Sequence, residues 1–375
     1  MSSPPTLFVS YSGALGGSER ILLDLVSGLE PPVSVACPEG PLAERLRAAA
    51  IPVLPLRERS LEMRHSLADR LATPLRLSAQ ALEVRAHVVG SGAAVLVASG
   101  TRGLLVCASA LAGLRPRPPL VFQQNELLPG VAIARLVRAL LTRVERVVTL
   151  SETIARDLDP ARTLGNRLAV IRPGVDLARF APRATGAGTA TPHALWLGAL
   201  VRWKRPDLAL EAAALAARAL PALRLTLAGP VIDAHGRELL LPALRRRSQR
   251  PDLAGRVELP GALTDGQGAL AEASCLLHTA DCEPYGMVMA EALACGLPVV
   301  APAACGALEI VDESCARLFT PGDAPGAARA LVKVLGEPSR LARMAGAARG
   351  HAEHAHDLER SRREYAKLLA EVRRR

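Results

Sequence analysis

The sequence predicts an α/β protein built from two doubly wound parallel sheets. Three observations carry that expectation. Short Val/Leu-rich runs alternate with longer Ala/Arg/Leu segments, Gly or Pro marks the junctions, and the alternation stops once and then restarts. Continuous apolar strands separated by helices describe a parallel sheet covered on both faces. The length, 375 residues, suits two domains of ordinary size, and a composition 50% hydrophobic and 22% charged excludes a disordered chain. With only 2% aromatics, the core must be built mostly from Ala, Val and Leu.

In the first half, Leu7–Ser10, Val33–Cys37, Val53–Leu56, Ala94–Ala98, Leu120–Gln123, Val147–Leu150 and Leu168–Ile171 are expected strands. Helical patterns lie between most of them, including Ser18–Leu29, Leu42–Ala50, Leu67–Ala86 and Ala132–Arg143. The segment Ala181–His193 is small, polar and turn-rich, the best linker in the chain. Beyond it, Ala194–Leu197, Leu223–Ala228, Val257–Leu259, Cys275–His278 and Pro298–Ala301 are expected strands. Helices are expected at Pro206–Leu220, Gly236–Gln249, Gln267–Ala273, Met287–Ala294 and Ala324–Gly336, with a charged helical tail from Pro338. The expected domains are residues 1–182 and 192–355, followed by a C-terminal helix over 356–375. In open sheets of this kind ligands meet the carboxyl ends of the strands.

Several classes fall away. The start lacks a basic region followed by a long apolar run, so no signal peptide is expected, and no apolar stretch is long enough to span a bilayer. The seven cysteines form no CxxC pair. They are expected as free, mostly buried thiols of a cytoplasmic protein, with no metal site. The net charge of +10 suggests an anionic partner, but most of it is arginine spread over helices. Scarce aromatics and the lack of a zinc or helix-turn-helix pattern argue against nucleic acid. The segment Ala132–Arg146 sets Arg135, Arg138, Arg143 and Arg146 beside Ile133, Leu136, Val137, Leu140 and Leu141. Two readings stay open for it: a face for the anionic inner surface of a membrane, or a helix packed on its own sheet.

Three segments carry chemistry. Gly13-Ala14-Leu15-Gly16-Gly17-Ser18-Glu19 follows the first strand and opens a helix, where glycines let backbone N–H groups approach an anion. Its spacing is not that of a dinucleotide fingerprint, and a plain tight turn is the alternative. Gly198 to Asp207 repeats that position in the second half, with Arg202, Lys204 and Arg205 just before a helix begun by Pro206. Lysine occurs only at Lys204, Lys333 and Lys367, so a lysine at a strand end is a specific choice, suited to phosphate. Third, Glu283 and Glu291 flank Gly286, Met287 and Val288 across a loop and the start of a helix. Carboxylates there can accept hydrogen bonds from sugar or ribose hydroxyls, and the N–H groups can meet phosphate. The alternative is a pair of ordinary helix-surface acids.

Taken in order, the glycine loop, the basic strand end, EPYGMVMAEALACGLPVVAP and Ala304–Val311 resemble the retaining GT-B glycosyltransferases, in particular glycosyltransferase family 4. Ser151-Glu152, Pro173-Gly174-Val175-Asp176 and Ala228-Gly229-Pro230 agree with it. The resemblance implies two Rossmann-like domains facing across a cleft, with the C-terminal helix packing back on the first. It implies a hexosyl transfer, without a metal or other cofactor, from a UDP- or GDP-sugar to a glycan, lipid or small-molecule acceptor. Arg202 and Lys204 would then meet the diphosphate, Glu283 the donor sugar and Glu291 the ribose. Gly16, Gly17, Gly198, Leu263, Tyr285, Gly286, Met287 and Val288 would line the donor. The first domain would hold the acceptor. Two departures stand out: Ala199 replaces an expected arginine, and Phe122–Gly130 lacks an expected histidine. Gln124, Asn125 and Glu126 are the acceptor-side candidates in its place. A sugar-nucleotide epimerase or hydrolase, and a non-catalytic sugar-nucleotide-binding protein, are the competing readings.

Overall fold

The computed structural model describes residues 5–58, 67–182, 191–232 and 236–374. The first sheet contains β1 (Thr6–Ser10), β2 (Val33–Pro38), β3 (Val53–Leu56), β4 (Val95–Ser99), β5 (Leu120–Gln124), β6 (Arg146–Thr149) and β7 (Leu168–Val170). The second contains β8 (His193–Leu197), β9 (Arg224–Ala228), β10 (Val257–Gly261), β11 (Cys275–Leu277), β12 (Val299–Pro302) and β13 (Ala316–Phe319). Their orders are β3-β2-β1-β4-β5-β6-β7 and β10-β9-β8-β11-β12-β13, and every named pairing is parallel. The doubly wound α/β class expected from the sequence is therefore the class observed, twice over.

Burial explains why the strands are continuous apolar runs. Helices cover each sheet, so β1 is buried at all five residues and β12 at all four. The strand missed in the sequence, β13, is an edge strand that leaves Leu318 39% exposed and carries Arg317, so it lacks that signature. Two crossover helices, Gly100–Ala110 and Glu152–Leu158, go beyond those read from the sequence. Ser151 caps the second by accepting from the Ile154 N–H at 3.1 Å.

The chain divides into one compact unit of Met1–Pro173 with Glu359–Arg375 and another of Gly174–Leu358. The boundary thus lies earlier than the expected 182. The carbonyls of Leu177 and Phe180 both accept from Arg349 Nη1, and Val175 N–H donates to His356 O, which ties this stretch into the second unit. Of the expected linker Ala181–His193, residues 183–190 lie outside the described residues. The terminal helix Leu358–Arg373 belongs to the first unit from Glu359 onward. Its Tyr365 stacks on Phe8 of β1 at 6.2 Å between centroids, and Arg146 donates to Glu371 at 2.6 Å. The helix Val131–Leu140 buries Ala134 and Val137 and leaves Val131 and Leu136 exposed, while Arg138 donates to the carbonyls of Asp157 and Leu158. Among the described residues, no helix is long and apolar enough to cross a membrane.

In each sheet the strand order reverses beside the first strand, between β1 and β4 and between β8 and β11. The loops leaving those strands are where a doubly wound sheet opens a crevice. The three segments singled out in the sequence leave β1, β8 and β11.

Candidate active site

In the second unit, the loop after β8 makes one short turn, Arg202–Lys204, and enters the helix Pro206–Ala216 through Arg205 in the left-handed region, φ 50°. That loop is fastened from below. Trp196 Nε1 donates to Thr279 Oγ1 at 2.9 Å, and the Thr279 hydroxyl is 3.0 Å from the Lys204 carbonyl and 2.8 Å from the Arg205 carbonyl. Arg205 bridges Asp207 and Asp281 at 3.0 and 3.1 Å. It is thus a brace between the two loops.

The result is an ion pair at the reversal point: Lys204 Nζ lies 2.8 Å from Glu283 Oε2, with the two side chains 18% and 13% exposed. Lys204 also sits over the Trp203 ring at 4.6 Å. Gly198 lies beneath it, since a Cβ there would be 3.4 Å from Lys204 Cδ. Arg202 stands apart, exposed and paired with none of the described residues. With Trp203, Arg205 and Asp281 it borders an open cavity of about 800 Å³ that Leu239 and Leu240 also line. The structure therefore joins Lys204 to Glu283 and leaves Arg202 outside that pair.

The second carboxylate also finds a place. Glu291 lies in the helix Met287–Ala294 at 9% exposure, so the surface-acid alternative does not describe it. Gly286 caps that helix with φ 108°, and a Cβ there would lie 2.3 Å from Met289 Cε and 3.1 Å from Glu283 Cγ. Glycine is required by conformation and by space together. The N–H groups of Met287 and Val288 open the helix and have no intrahelical acceptor. Tyr285 is buried with its hydroxyl 3.3 Å from His356 Nδ1, so its side chain anchors the loop. Leu263 is half-buried in the loop that follows β10.

Sequence reasoning reads His278 and His193 as structural residues, and the first is a neighbour of this pair. His278, set at the end of an expected strand, is 4% exposed, and its Nε2 lies 3.5 Å from Glu283 Oε2 without a hydrogen-bond partner. Burial, opposed by the charge of Glu283, pushes its pKa down to about 4, so it stands neutral beside the pair at pH 7. Its place at the carboxyl end of β11 was the available signal. His193, by contrast, spends Nε2 on Thr226 Oγ1 at 2.9 Å.

The cysteine expectation needs a correction. Cys282 and Cys305 form a disulfide, and the other five are buried thiols. The pair is far apart in sequence and meets because the loops after β11 and β12 lie side by side. Gly306 N–H donates to Glu283 O at 2.8 Å across the same seam. One group, Asp312, Cys315 and His351, places potential metal-ligating atoms within 4.8 Å of one another. Asp312 Oδ2 already faces His351 Nδ1 at 3.0 Å, and His351 Nε2 faces Ile310 O at 2.8 Å.

The first unit's strand ends differ in kind. Gly16 N–H donates to Glu19 Oε2 at 3.1 Å at the start of the helix Gly17–Val26. The Glu19 carboxyl is pushed up by burial and, less, by the charge of Glu126. Gly13 is packed, with a Cβ there 2.6 Å from Glu39 O, whereas a Cβ on Gly17 meets nothing within 4 Å. At the end of β5, Gln124 Nε2 donates to Thr101 Oγ1 and Glu126 O at 3.2 and 2.7 Å. Asn125 Nδ2 donates to Ser99 Oγ at 3.1 Å and Oδ1 accepts from Gln123 at 3.0 Å. Both donors of Gln124 are thus engaged within the protein, while Asn125 keeps one. The Glu126 side chain is exposed.

Two family descriptions match this chain: Glycosyltransferase Family 4 over residues 15–179 and Glycosyl transferases group 1 over residues 191–337. D-inositol 3-phosphate glycosyltransferase of Streptomyces griseus is 32% identical over 225 residues, 52% of this chain and 46% of that one. The Rhodococcus opacus protein of the same name is 34% identical over 203 residues, 50% of this chain and 45% of that one. The chain spans about half the length of the curated relatives it matches. Among solved structures, Anabaena HepE in complex with UDP and glucose superposes with a TM-score of 0.82 at 23% identity, covering 97% of this chain and 99% of that one. Sucrose-phosphate synthase from Thermosynechococcus elongatus gives 0.78 at 16% identity and 99% coverage of each. These likenesses establish the fold.

Proposed function

This chain belongs to glycosyltransferase family 4, and from that premise we propose that it transfers a hexosyl group, with retention of configuration, from a nucleotide diphosphate sugar to a hydroxyl-bearing acceptor. The observation that carries the reading is the Lys204–Glu283 ion pair, held at a strand-order reversal beside a helix N-terminus. A diphosphate leaving group needs positive charge placed where its own charge grows. Lys204 supplies it from a fixed loop, and Arg202 adds a second cation from the adjoining cavity wall. Those two cations support a reaction that proceeds without a divalent metal.

Glu283 then has two roles. Before substrate binds it holds Lys204 in place. When the diphosphate engages the lysine, the carboxylate becomes available to the sugar's hydroxyls and to the positive charge that develops at the anomeric carbon. Glu291, one turn into the helix, accepts from ribose hydroxyls, and the N–H groups of Gly286, Met287 and Val288 meet phosphate and sugar oxygens. His278 stays neutral and keeps water and mobile charge away from Glu283.

UDP is the favoured nucleotide, because Anabaena HepE was also crystallised with UDP-glucose. The acceptor belongs to the first unit, where Asn125 retains a free donor and Gly17 leaves open backbone at a helix start. A glycan, a lipid-linked sugar or a small polyol fits a lining of amides and hydroxyls with the Glu126 carboxyl at its side. The deciding experiment incubates the protein with UDP- and GDP-hexoses, with and without an acceptor panel and EDTA, and reads products by NMR. Transfer with the donor's anomeric configuration, unaffected by EDTA, is expected. Epimer or free hexose as the only product, or binding without turnover on any acceptor, would overturn the assignment.

A further inference from the structure

We propose that the Cys282–Cys305 disulfide is a positioning element for Glu283 and a site of reversible thiol–disulfide modification by a dithiol reductant. The proposal rests on the reading of Glu283 as a donor-site carboxylate. Cys282 is the residue before Glu283, and Cys305 the residue before Gly306, so the bond staples the two loops where the Glu283 carbonyl accepts from Gly306 N–H. The loops touch backbone to backbone: a Cβ on Gly306 would lie 2.2 Å from Tyr285 O and 2.8 Å from Glu283 O. Cys305 has φ 52°, a left-handed conformation that a non-glycine residue holds only when its surroundings impose it. With the bond open, the Glu283 loop keeps the Gly306 hydrogen bond across the seam but loses its covalent support.

Access is selective. Cys282 and Cys305 are half-buried, whereas Cys37, Cys107, Cys275, Cys295 and Cys315 are at most 6% exposed. Burial also pushes the thiols of Cys37 and Cys315 up to about 11 and those of Cys275 and Cys295 up to about 12. The buried thiols are therefore poor nucleophiles at neutral pH and do not compete in exchange. A reductant thiolate attacks one sulfur of the pair, forming a mixed disulfide and releasing the other sulfur as a thiolate that takes a proton. The reductant's second thiol then displaces the remaining cysteine and leaves as its own disulfide. Two electrons and two protons pass to the protein.

The test compares the native protein after oxidised glutathione with the same protein after dithiothreitol. Maleimide labelling should add two groups, at Cys282 and Cys305, after reduction. Amide exchange should accelerate at least tenfold at Cys282, Glu283, Tyr285, Gly286 and Gly306 and nowhere in the first unit. Turnover of a UDP-hexose should fall about tenfold and return on reoxidation, because small displacements of a catalytic group are costly. Cys282→Ser should match the reduced state and ignore redox conditions. Cys305→Gly, which suits the left-handed backbone, should also ignore them and guards against a variant that fails to fold. Equal exchange at these amides in the two states, or equal turnover, overturns the proposal. No turnover by the oxidised protein with any donor overturns instead the reading of Glu283; exchange and labelling still decide the staple.

Discussion

The two sheets share a topology and use it for different chemistry. At the reversal point of the second sheet stand a lysine, a carboxylate and a neutral histidine, with Lys204 and Glu283 paired at 2.8 Å. Beside the reversal of the first sheet, at the ends of β4 and β5, stand amides and hydroxyls, Gln123, Gln124, Asn125, Thr101 and Ser99, hydrogen-bonded chiefly to one another. A charged pair of partly exposed groups can exchange its partner for a charged ligand. The amide network offers a ligand only what it leaves over, one Asn125 N–H and the buried Gln123 Oε1, and its other members cannot be given up without leaving a buried polar group unpaired. The contrast sets a charged pair in the second unit against an amide and hydroxyl network in the first.

The sharpest way to break that contrast is to remove charge. Lys204→Ala is expected to lower turnover per folded molecule about 10²–10³-fold, the size of a lost group that stabilises developing charge, and to lower the melting temperature as well, since Glu283, 13% exposed, loses its partner. Initial rates with a saturating UDP-hexose, and a melting curve on the same sample, are the measurements. A variant near the parent rate places the chemistry elsewhere.

Next is acid stability, which also belongs to the second unit. His278 titrates near 6.5 in the unfolded chain and is pushed down to about 4 when folded. The stabilisation from its neutral form is thus complete above pH 6.5 and is lost as the pH falls towards 4. The loss is on the order of 3 kcal/mol for this group. Urea melts across that window should show it, and His278→Leu should flatten the slope. An unchanged slope in His278→Leu means that other groups carry the acid sensitivity.

In the first unit the matching experiment is Gln124→Ala. It leaves Thr101 Oγ1, which is buried, and the part-buried Glu126 carbonyl without their amide, and a buried orphan costs about 1–3 kcal/mol. Stability should fall with turnover per folded molecule changed less than threefold. A large loss of turnover at unchanged stability would turn Gln124 into a substrate contact and weaken the contrast between the units.

How much of this was legible follows the same physics. Apolar strands and helical crossovers are written locally, so both sheets could be read, apart from the edge strand β13, where exposure removes the constraint. Lys204 and Glu283 were legible because a lone lysine and a Glu-Pro-Tyr-Gly loop are unusual in an arginine- and alanine-rich chain. Their direct pairing was not, since it depends on Thr279 and Trp196 holding the β8 loop from below. His278 needed burial to acquire its meaning, and the disulfide needed two loops, distant in sequence, to arrive side by side. The amides of Gln124 and Asn125 were visible as residues, but how many donors they have left is a property of the fold alone.

The finest distinction is between two glycines of one loop. Gly13→Ala places a Cβ 2.6 Å from Glu39 O and 2.9 Å from Pro38 O, both backbone atoms that cannot swing away. It should destabilise the first unit by about 1–3 kcal/mol, as overpacking does. Gly17→Ala meets nothing within 4 Å, lies at the start of a helix and has no left-handed φ. Its stability should change by less than about 0.5 kcal/mol, the range of an ordinary surface substitution. If the open backbone at Gly17 receives a ligand, that methyl group is felt only when the ligand arrives. Gly17→Ala should then raise the KM for donor or acceptor several-fold at unchanged melting temperature. A KM equal to the parent's for both substrates makes the glycine pair an ordinary turn, and leaves the first unit with its amide and hydroxyl network alone.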